Sequence, residues 1–169
     1  MGQYALGQAV PRSEDPRLLK GGGRYIDDMA LPDMAIGYVL RSPHAHAKIR
    51  SMDTTAAKAA PGVRAVIDGK DWDANEFGDM PIGSGRKQRD GSPLYQPPFP
   101  ALVKDRVRWV GDYVAFIVAD TLDQAKDAAA LVEIDYEILP SVTDTEKAVQ
   151  LGAPLVWDDC PDNICFVHL

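Results

Sequence analysis

The stretch Tyr113-Val114-Ala115-Phe116-Ile117-Val118-Ala119, followed by a helical pattern from Leu122 to Val132 and then Glu133-Ile134-Asp135-Tyr136-Glu137-Ile138-Leu139, decides the fold class. Its first seven residues are nearly continuous in apolar side chains, as a central strand covered on both faces requires. Leu122, Ala125, Ala129 and Val132 then recur on one helical face, with Asp123, Lys126 and Asp127 outside it. Thr121 and Gln124 stand three apart, in the T-x-x-Q spacing of a capping box. The last run alternates strictly, with Ile134, Tyr136 and Ile138 on one face and Glu133, Asp135 and Glu137 on the other. One face meets the core and the other meets water.

Upstream, Gly111-Asp112 makes a turn, and Leu102 to Val110 reads as a further strand. Residues 35 to 40 and the segment carrying Ala47, Ile49 and Met52 suggest two strands that form a paired unit. Asp53-Thr54-Thr55 offers capping side chains to Ala56-Ala57-Lys58-Ala59-Ala60, which Pro61-Gly62 stops before Val63-Arg64-Ala65-Val66-Ile67 returns to strand. Two strand–helix–strand passages therefore recur, and the expectation is an α+β domain with a mixed sheet. Thr143 and Glu146 suggest a second capping box ahead of a short helix that Gly152 ends.

Three segments frame this body. Residues 1–33 are rich in Gly, Pro and charge and read as an extended N-terminal arm. Residues 34–150 are the domain proper. Within them, residues 68–100 form a long loop whose aromatics Trp72, Phe77, Tyr95 and Phe99 keep no period, which makes the loop the best interface candidate on physical grounds. A plain insertion explains it as readily. Residues 151–169 form a C-terminal linker or strand that ends in the mostly apolar Ile164-Cys165-Phe166-Val167-His168-Leu169, a pattern expected of a cut chain leading into absent domains.

With 169 residues, 46% hydrophobic and 25% charged, the chain is globular in composition. It has no apolar run near the ~20 residues that cross a bilayer. Its net charge of −7 disfavours phosphate backbones, the only short basic cluster being Arg86-Lys87-Gln88-Arg89. No secretory signal stands at residues 1 to 6, and Leu6 breaks the Met-Gly acylation pattern. These features favour a cytoplasmic location with neither membrane nor nucleic acid as partner.

Chemistry is harder to place. Cys160 and Cys165 read as reduced structural thiols in preference to a disulfide or half a metal site. His44 and His46 would share a face of an extended segment, as a metal pair can, yet a third local ligand is missing, and structural hydrogen-bonded histidines are the simpler reading. Asp27-Asp28 and Asp158-Asp159 are neighbours that point to opposite faces of a strand, so solvated turns are favoured over an acid–base pair. Gly21-Gly22-Gly23 lacks the preceding strand and following helix of a phosphate loop. A hydrolase built on Cys160 or Cys165 with a histidine has no supporting base or oxyanion hole in view. No catalytic, cofactor-binding or metal-ligating residue is assigned.

A resemblance adds to this. Arg17-Leu18-Leu19-Lys20-Gly21, Gly23-Arg24-Tyr25-Ile26-Asp27-Asp28, Arg41-Ser42-Pro43-His44-Ala45-His46-Ala47-Lys48-Ile49 and Pro61-Gly62-Val63 are followed by Val110-Gly111-Asp112, Val118-Ala119-Asp120-Thr121 and Val132 through Pro140. In that order they resemble the N-terminal a/b hammerhead domain of the molybdopterin-binding large subunit of the xanthine dehydrogenase and aldehyde oxidase family, nearest its carbon monoxide dehydrogenase branch. Tyr113 stands where the resemblance leads one to expect Pro. The resemblance implies a structural and interface domain, inert alone, within a molybdenum hydroxylase. The pterin, often in its cytosine dinucleotide form, would sit in other domains of the large subunit, with [2Fe-2S] clusters and FAD in partner domains or subunits. A free-standing binding or assembly module that has the same fold is the competing reading.

Overall fold

The computed structural model describes Gly7, residues 12–83 and residues 85–167. The chain divides into two units, Met1–Met34 and Ala35–Leu169. In the first, Pro16 sits in the opening turn of a short helix, α1 (Asp15–Leu18), where its missing N–H costs nothing. Gly21, at φ +72°, takes the left-handed conformation that closes this helix, and Gly22 donates to the Arg17 carbonyl at 2.9 Å. A 3-10 turn over Ile26–Asp28 follows, with the Asp28 carboxylate accepting the Tyr25 N–H at 2.9 Å.

Among the described residues, the second unit holds six strands: β1 (Ile36–Arg41), β2 (Ala47–Asp53), β3 (Val63–Asp68), β4 (Arg106–Val107), β5 (Tyr113–Ala119) and β6 (Glu133–Ile138). They form two three-stranded sheets, ordered β1-β5-β3 and β4-β2-β6. Every pairing is antiparallel, so the expected mixed sheet is corrected to two antiparallel ones. The α+β class stands. Both strand–helix–strand passages are present, with α2 (Thr55–Lys58) between β2 and β3, and α4 (Leu122–Ala130) between β5 and β6. Each passage leaves one sheet and enters the other, which is why neither yields the parallel neighbours that a crossover within one sheet would give. For the same reason β1 and β2, expected to pair, lie in different sheets.

The central strand is β5. It pairs with β1 from Ile36↔Ala119 onward and with β3 from Val63↔Ala119 onward. Its alternate residues Ala115, Ile117 and Ala119 are fully buried in a cluster with Ala57, Val66, Ala125 and Ala128. The alanines of α4 let the helix approach the sheet closely. Val114, on the opposite face of β5, belongs to a second cluster with Ala47, Val103 and Val107, while Leu40 and Met52 touch both. Burying a side chain such as Ile117 contributes about 1.5–3 kcal/mol, so this strand is the main apolar anchor of both sheets.

Local expectations fared unevenly. The Thr121 hydroxyl accepts the Gln124 N–H at 3.2 Å and donates to the Gln124 side-chain oxygen at 3.0 Å, capping α4 as its spacing suggests. The final helix, α5 (Thr145–Ala148), is capped by Asp144 and not Thr143: the Asp144 carboxylate accepts from the N–H groups of Glu146 and Lys147. Of the expected strand from Leu102 to Val110, only Arg106–Val107 pairs. Val103 is held instead by its N–H to the Tyr113 carbonyl at 2.8 Å. The segment 68–100 contains a helix that its composition hides, α3 (Gly69–Ala74), whose N-cap Asp68 accepts from Lys70 N and Asp71 N at 2.8 Å each. Trp72 is its one large apolar residue, too little to set a period.

Residues 151–167 form turns. Asn163, at φ +57°, staples them: its amide donates to the carbonyls of Ala148 and Pro154 at 2.9 and 3.0 Å, and its carbonyl accepts the Val156 N–H at 2.9 Å.

Candidate functional site

The corner between β1 and β2, residues 42 to 46, gathers most of the buried polar groups. Ser42 and the Gly111-Asp112 turn exchange two backbone hydrogen bonds at 2.8 Å, Ser42 N–H to the Asp112 carbonyl and Gly111 N–H to the Ser42 carbonyl. The Ser42 hydroxyl accepts the His44 N–H at 3.0 Å and donates to the His44 carbonyl at 3.2 Å. Asp112 is only 2% exposed, and its carboxylate accepts the N–H groups of Arg108 and Tyr113 at 3.0 Å each. Burial raises its pKa, while those two backbone donors pull the other way.

The two histidines of this corner do not converge. His46 is 8% exposed, and its Nδ1 lies 2.9 Å from the Pro140 carbonyl. A carbonyl oxygen only accepts, so Nδ1 is the donor in this bond. The Nε2 atom of His46 is buried and has no partner among the described residues. His44 instead packs edge-on against Tyr136, with ring centroids 4.8 Å apart. Burial raises the Tyr136 phenol, an effect that the nearby Ser42 hydroxyl partly offsets, though among the described residues no bond of good geometry reaches the phenol oxygen. Among the described residues, no group of three or more His, Cys, Asp or Glu could hold a metal ion.

Two arginines, Arg106 of β4 and Arg108 just after it, are held by the turns after α5. Arg106, with a side chain 16% exposed, bonds Asp158 at 2.9 Å, and this bond and charge lower the Asp158 pKa. The Arg108 guanidinium lies 3.6 Å from the centroid of the Trp157 ring and donates from Nε to the Val156 carbonyl at 3.3 Å. An open groove of about 440 Å³ runs beside them, lined by His46, Lys48, Arg106 and Asp158 with apolar walls. The sequence could not show these pairs, because Arg106 and Asp158 are 52 residues apart.

The other sequence candidates disperse. Asp158 faces Arg106, while Asp159 accepts the Tyr95 hydroxyl at 2.6 Å, so the two acids serve different partners. Partial burial and then that bond push the Tyr95 phenol up to about 12. Asp28 bonds Tyr25 within its own turn. Gly21-Gly22-Gly23 closes a helix instead of opening one. Both cysteines are free, Cys160 buried and Cys165 exposed. Burial pushes the Cys160 thiol up, away from the thiolate a nucleophile needs. The Cys165 carbonyl accepts from Tyr95 N and Gln88 Nε2, both at 3.1 Å, tying the long loop to the C-terminal turns. His168 lies outside the described residues.

The fold and site thus define an α+β domain whose polar groups are spent on corners, caps and straps. The chain belongs to the aldehyde oxidase and xanthine dehydrogenase family, whose a/b hammerhead domain is matched over residues 20–140. It is 40% identical over 163 residues to the carbon monoxide dehydrogenase large chain of Afipia carboxidovorans, covering 96% of this chain and 19% of that one. It is 36% identical over 159 residues to the nicotine 6-hydroxylase large subunit of Paenarthrobacter nicotinovorans, covering 94% and 19%. Among solved structures, a Cu,Mo-CO dehydrogenase in its carbon monoxide reduced state superposes with a TM-score of 0.74 and 39% identity, over 96% of this chain and 19% of that one. The chain spans about a fifth of the length of these relatives.

Proposed function

We propose that this chain is the structural and interface domain of a molybdenum hydroxylase large subunit, a cytoplasmic oxidoreductase, and that it has no catalytic residue of its own. The observation that carries this reading is the correspondence of nearly the whole chain to one fifth of a carbon monoxide dehydrogenase large chain. On this reading residues 1–33 are an arm, residues 34–150 the hammerhead domain and residues 151–169 the lead into cofactor-binding domains. The residues present do not fit the iron–sulfur cofactor of such an enzyme. Two cysteines cannot supply the four thiolates of a [2Fe-2S] cluster, and Cys160 is buried beside Asp162 and the Ile164 carbonyl. The iron–sulfur clusters therefore belong to other domains or subunits; on the same reading the molybdopterin, in its cytosine dinucleotide form, and FAD also sit there, and these domains or subunits are this chain's partners. Neither membrane nor nucleic acid is among them: no described helix is long and apolar enough to cross a bilayer, and the chain carries net charge −7.

The test is to tag the protein in its native cell, purify it gently, and measure molybdenum, iron and flavin together with the masses of co-purifying polypeptides. Arrival of all three cofactors with larger chains is the expected result. Recovery of the protein alone and free of cofactors would overturn the reading in favour of a free-standing module.

A further inference from the structure

The long loop, which its sequence leaves open between an interface and a plain insertion, has one inward residue near its tip. Among the described residues from 81 to 93, every one is exposed except Gln88, which is half-buried. Gln88 stands at the neck of a hairpin. Its N–H donates to the Ser92 carbonyl at 2.8 Å, its carbonyl accepts the Gly91 N–H at 3.0 Å, and Lys87 pairs with Pro93 beside it. The Asp90 carboxylate closes the turn by accepting the Ser92 N–H and hydroxyl at 2.9 and 2.6 Å. With its backbone spent inside the hairpin, Gln88 gives its side chain to the C-terminal turns: Nε2 donates to the Cys165 carbonyl at 3.1 Å, and Oε1 accepts the Val167 N–H at 3.0 Å.

In an extended segment the carbonyl of one residue and the N–H two residues on face the same edge, so a primary amide, with a donor and an acceptor side by side, can bracket the residue between them. Gln88 brackets Phe166 in this way, as a neighbouring strand would. The Tyr95 N–H adds a second donor to the Cys165 carbonyl at 3.1 Å, and the Tyr95 hydroxyl holds Asp159 at 2.6 Å. Residues 151–167 are turns, with no helix or sheet to set their course. We propose that the hairpin 87–93 is a clamp, with Gln88 as its positioning residue, that holds residues 165–167 extended and fixes the direction of the chain there. The proposal rests on the reading that this segment leads into cofactor-binding domains, for which that direction sets how they are joined to the body.

The test is amide exchange at Val167 in the full chain, followed by NMR and referred to the intrinsic rate at each pH, for wild type, Gln88→Ala and Gln88→Glu. The Ala variant loses both bonds, and Val167 should exchange about tenfold faster than in wild type at either pH. The Glu variant separates the paired bonds from the bulk of the side chain. Protonated, at about pH 3.5, its carboxyl donates to the Cys165 carbonyl and accepts from Val167, as the amide does. Ionised, at about pH 7, it sets a negative charge against that carbonyl and has no donor to offer. Val167 should therefore be as protected as in wild type at the lower pH and as open as in the Ala variant at the higher one. Unchanged exchange in the Ala variant overturns the proposal, and so does a Glu variant whose protection does not respond to pH. Neither result touches the enzyme-domain reading, which co-purification tests separately, and failure of that reading leaves the exchange result standing.

Discussion

The carboxylate of Asp112, only 2% exposed, accepts the backbone N–H of Arg108 at 3.0 Å and so closes the turn between β4 and β5 on itself. The second oxygen takes the Tyr113 N–H at the same distance, and the Asp112 carbonyl holds Ser42. Replacing Asp112 by Ala leaves two donors without acceptors, and the expected cost is about 2–4 kcal/mol in urea denaturation. Burial raises this carboxyl's folded pKa above its unfolded value. The folded state therefore binds the proton more tightly, and the group's contribution to stability falls as pH rises from about 4 through the folded pKa. The margin of wild type over D112N should be larger at pH 3 than at pH 7; an unchanged margin would contradict the assignment.

Asn163 offers a separable prediction. It combines a positive φ with three side-chain hydrogen bonds, one to the end of α5 at Ala148 and two to the turns that carry Trp157 and Asp158. Asn163→Gly keeps the backbone and loses only the bonds, whereas Asn163→Ala loses the bonds and adds left-handed strain of roughly 1 kcal/mol. Amide exchange at Val156 should quicken in both variants, and thermal unfolding should place N163A below N163G. The reverse order would show that the left-handed backbone at residue 163 carries no such strain, and unchanged exchange at Val156 in both would show that the side-chain bonds contribute little.

Gly69 opens α3 where the backbone of Val103 passes close. A Cβ there would lie 2.6 Å from the Val103 carbonyl oxygen, and backbone yields less readily than a side chain. Gly69→Ala should cost about 1–3 kcal/mol through overpacking. A Cβ at Gly83 would meet nothing within 4 Å, so Gly83→Ala should be neutral within about 0.5 kcal/mol. Chemical denaturation of the pair checks both, and equal midpoints would refute the close approach.

The thiols should separate by reactivity. Cys165 is exposed, while Cys160 is buried and its thiol pushed up by that burial. An aromatic disulfide reagent at pH 8 should titrate one thiol per chain quickly and the second only on unfolding. Cys165→Ser should remove the fast phase. Two fast thiols in the folded protein would mean that the turns around Asn163 open readily.

Much of the body was legible in the residues, because the central strand, the capped Ala-rich helix and the alternating strand after it are local patterns with local causes. The departures are instructive. Ile138 continues the inward alternation of Ile134 and Tyr136, yet it is 69% exposed, as the last residue of an edge strand. Leu122 fits the apolar face of α4 but is 44% exposed, while Ala128, off that pattern, is fully buried. Helix α3 escaped notice because its six residues are held by the Asp68 cap and not by an apolar stripe.

By itself, the sequence determined the α+β class, the two strand–helix–strand passages, the Thr121 cap of α4 and the family resemblance, since periodicity, turn residues and motif order act within a few residues of themselves. Tertiary structure alone decided that the strands divide into two antiparallel sheets, that His44 and His46 part company, and that Arg106 meets Asp158 across 52 residues. The physical reason is range. A strand's neighbour and an ion's partner are chosen by which distant surfaces can be buried together, and no local pattern carries that choice.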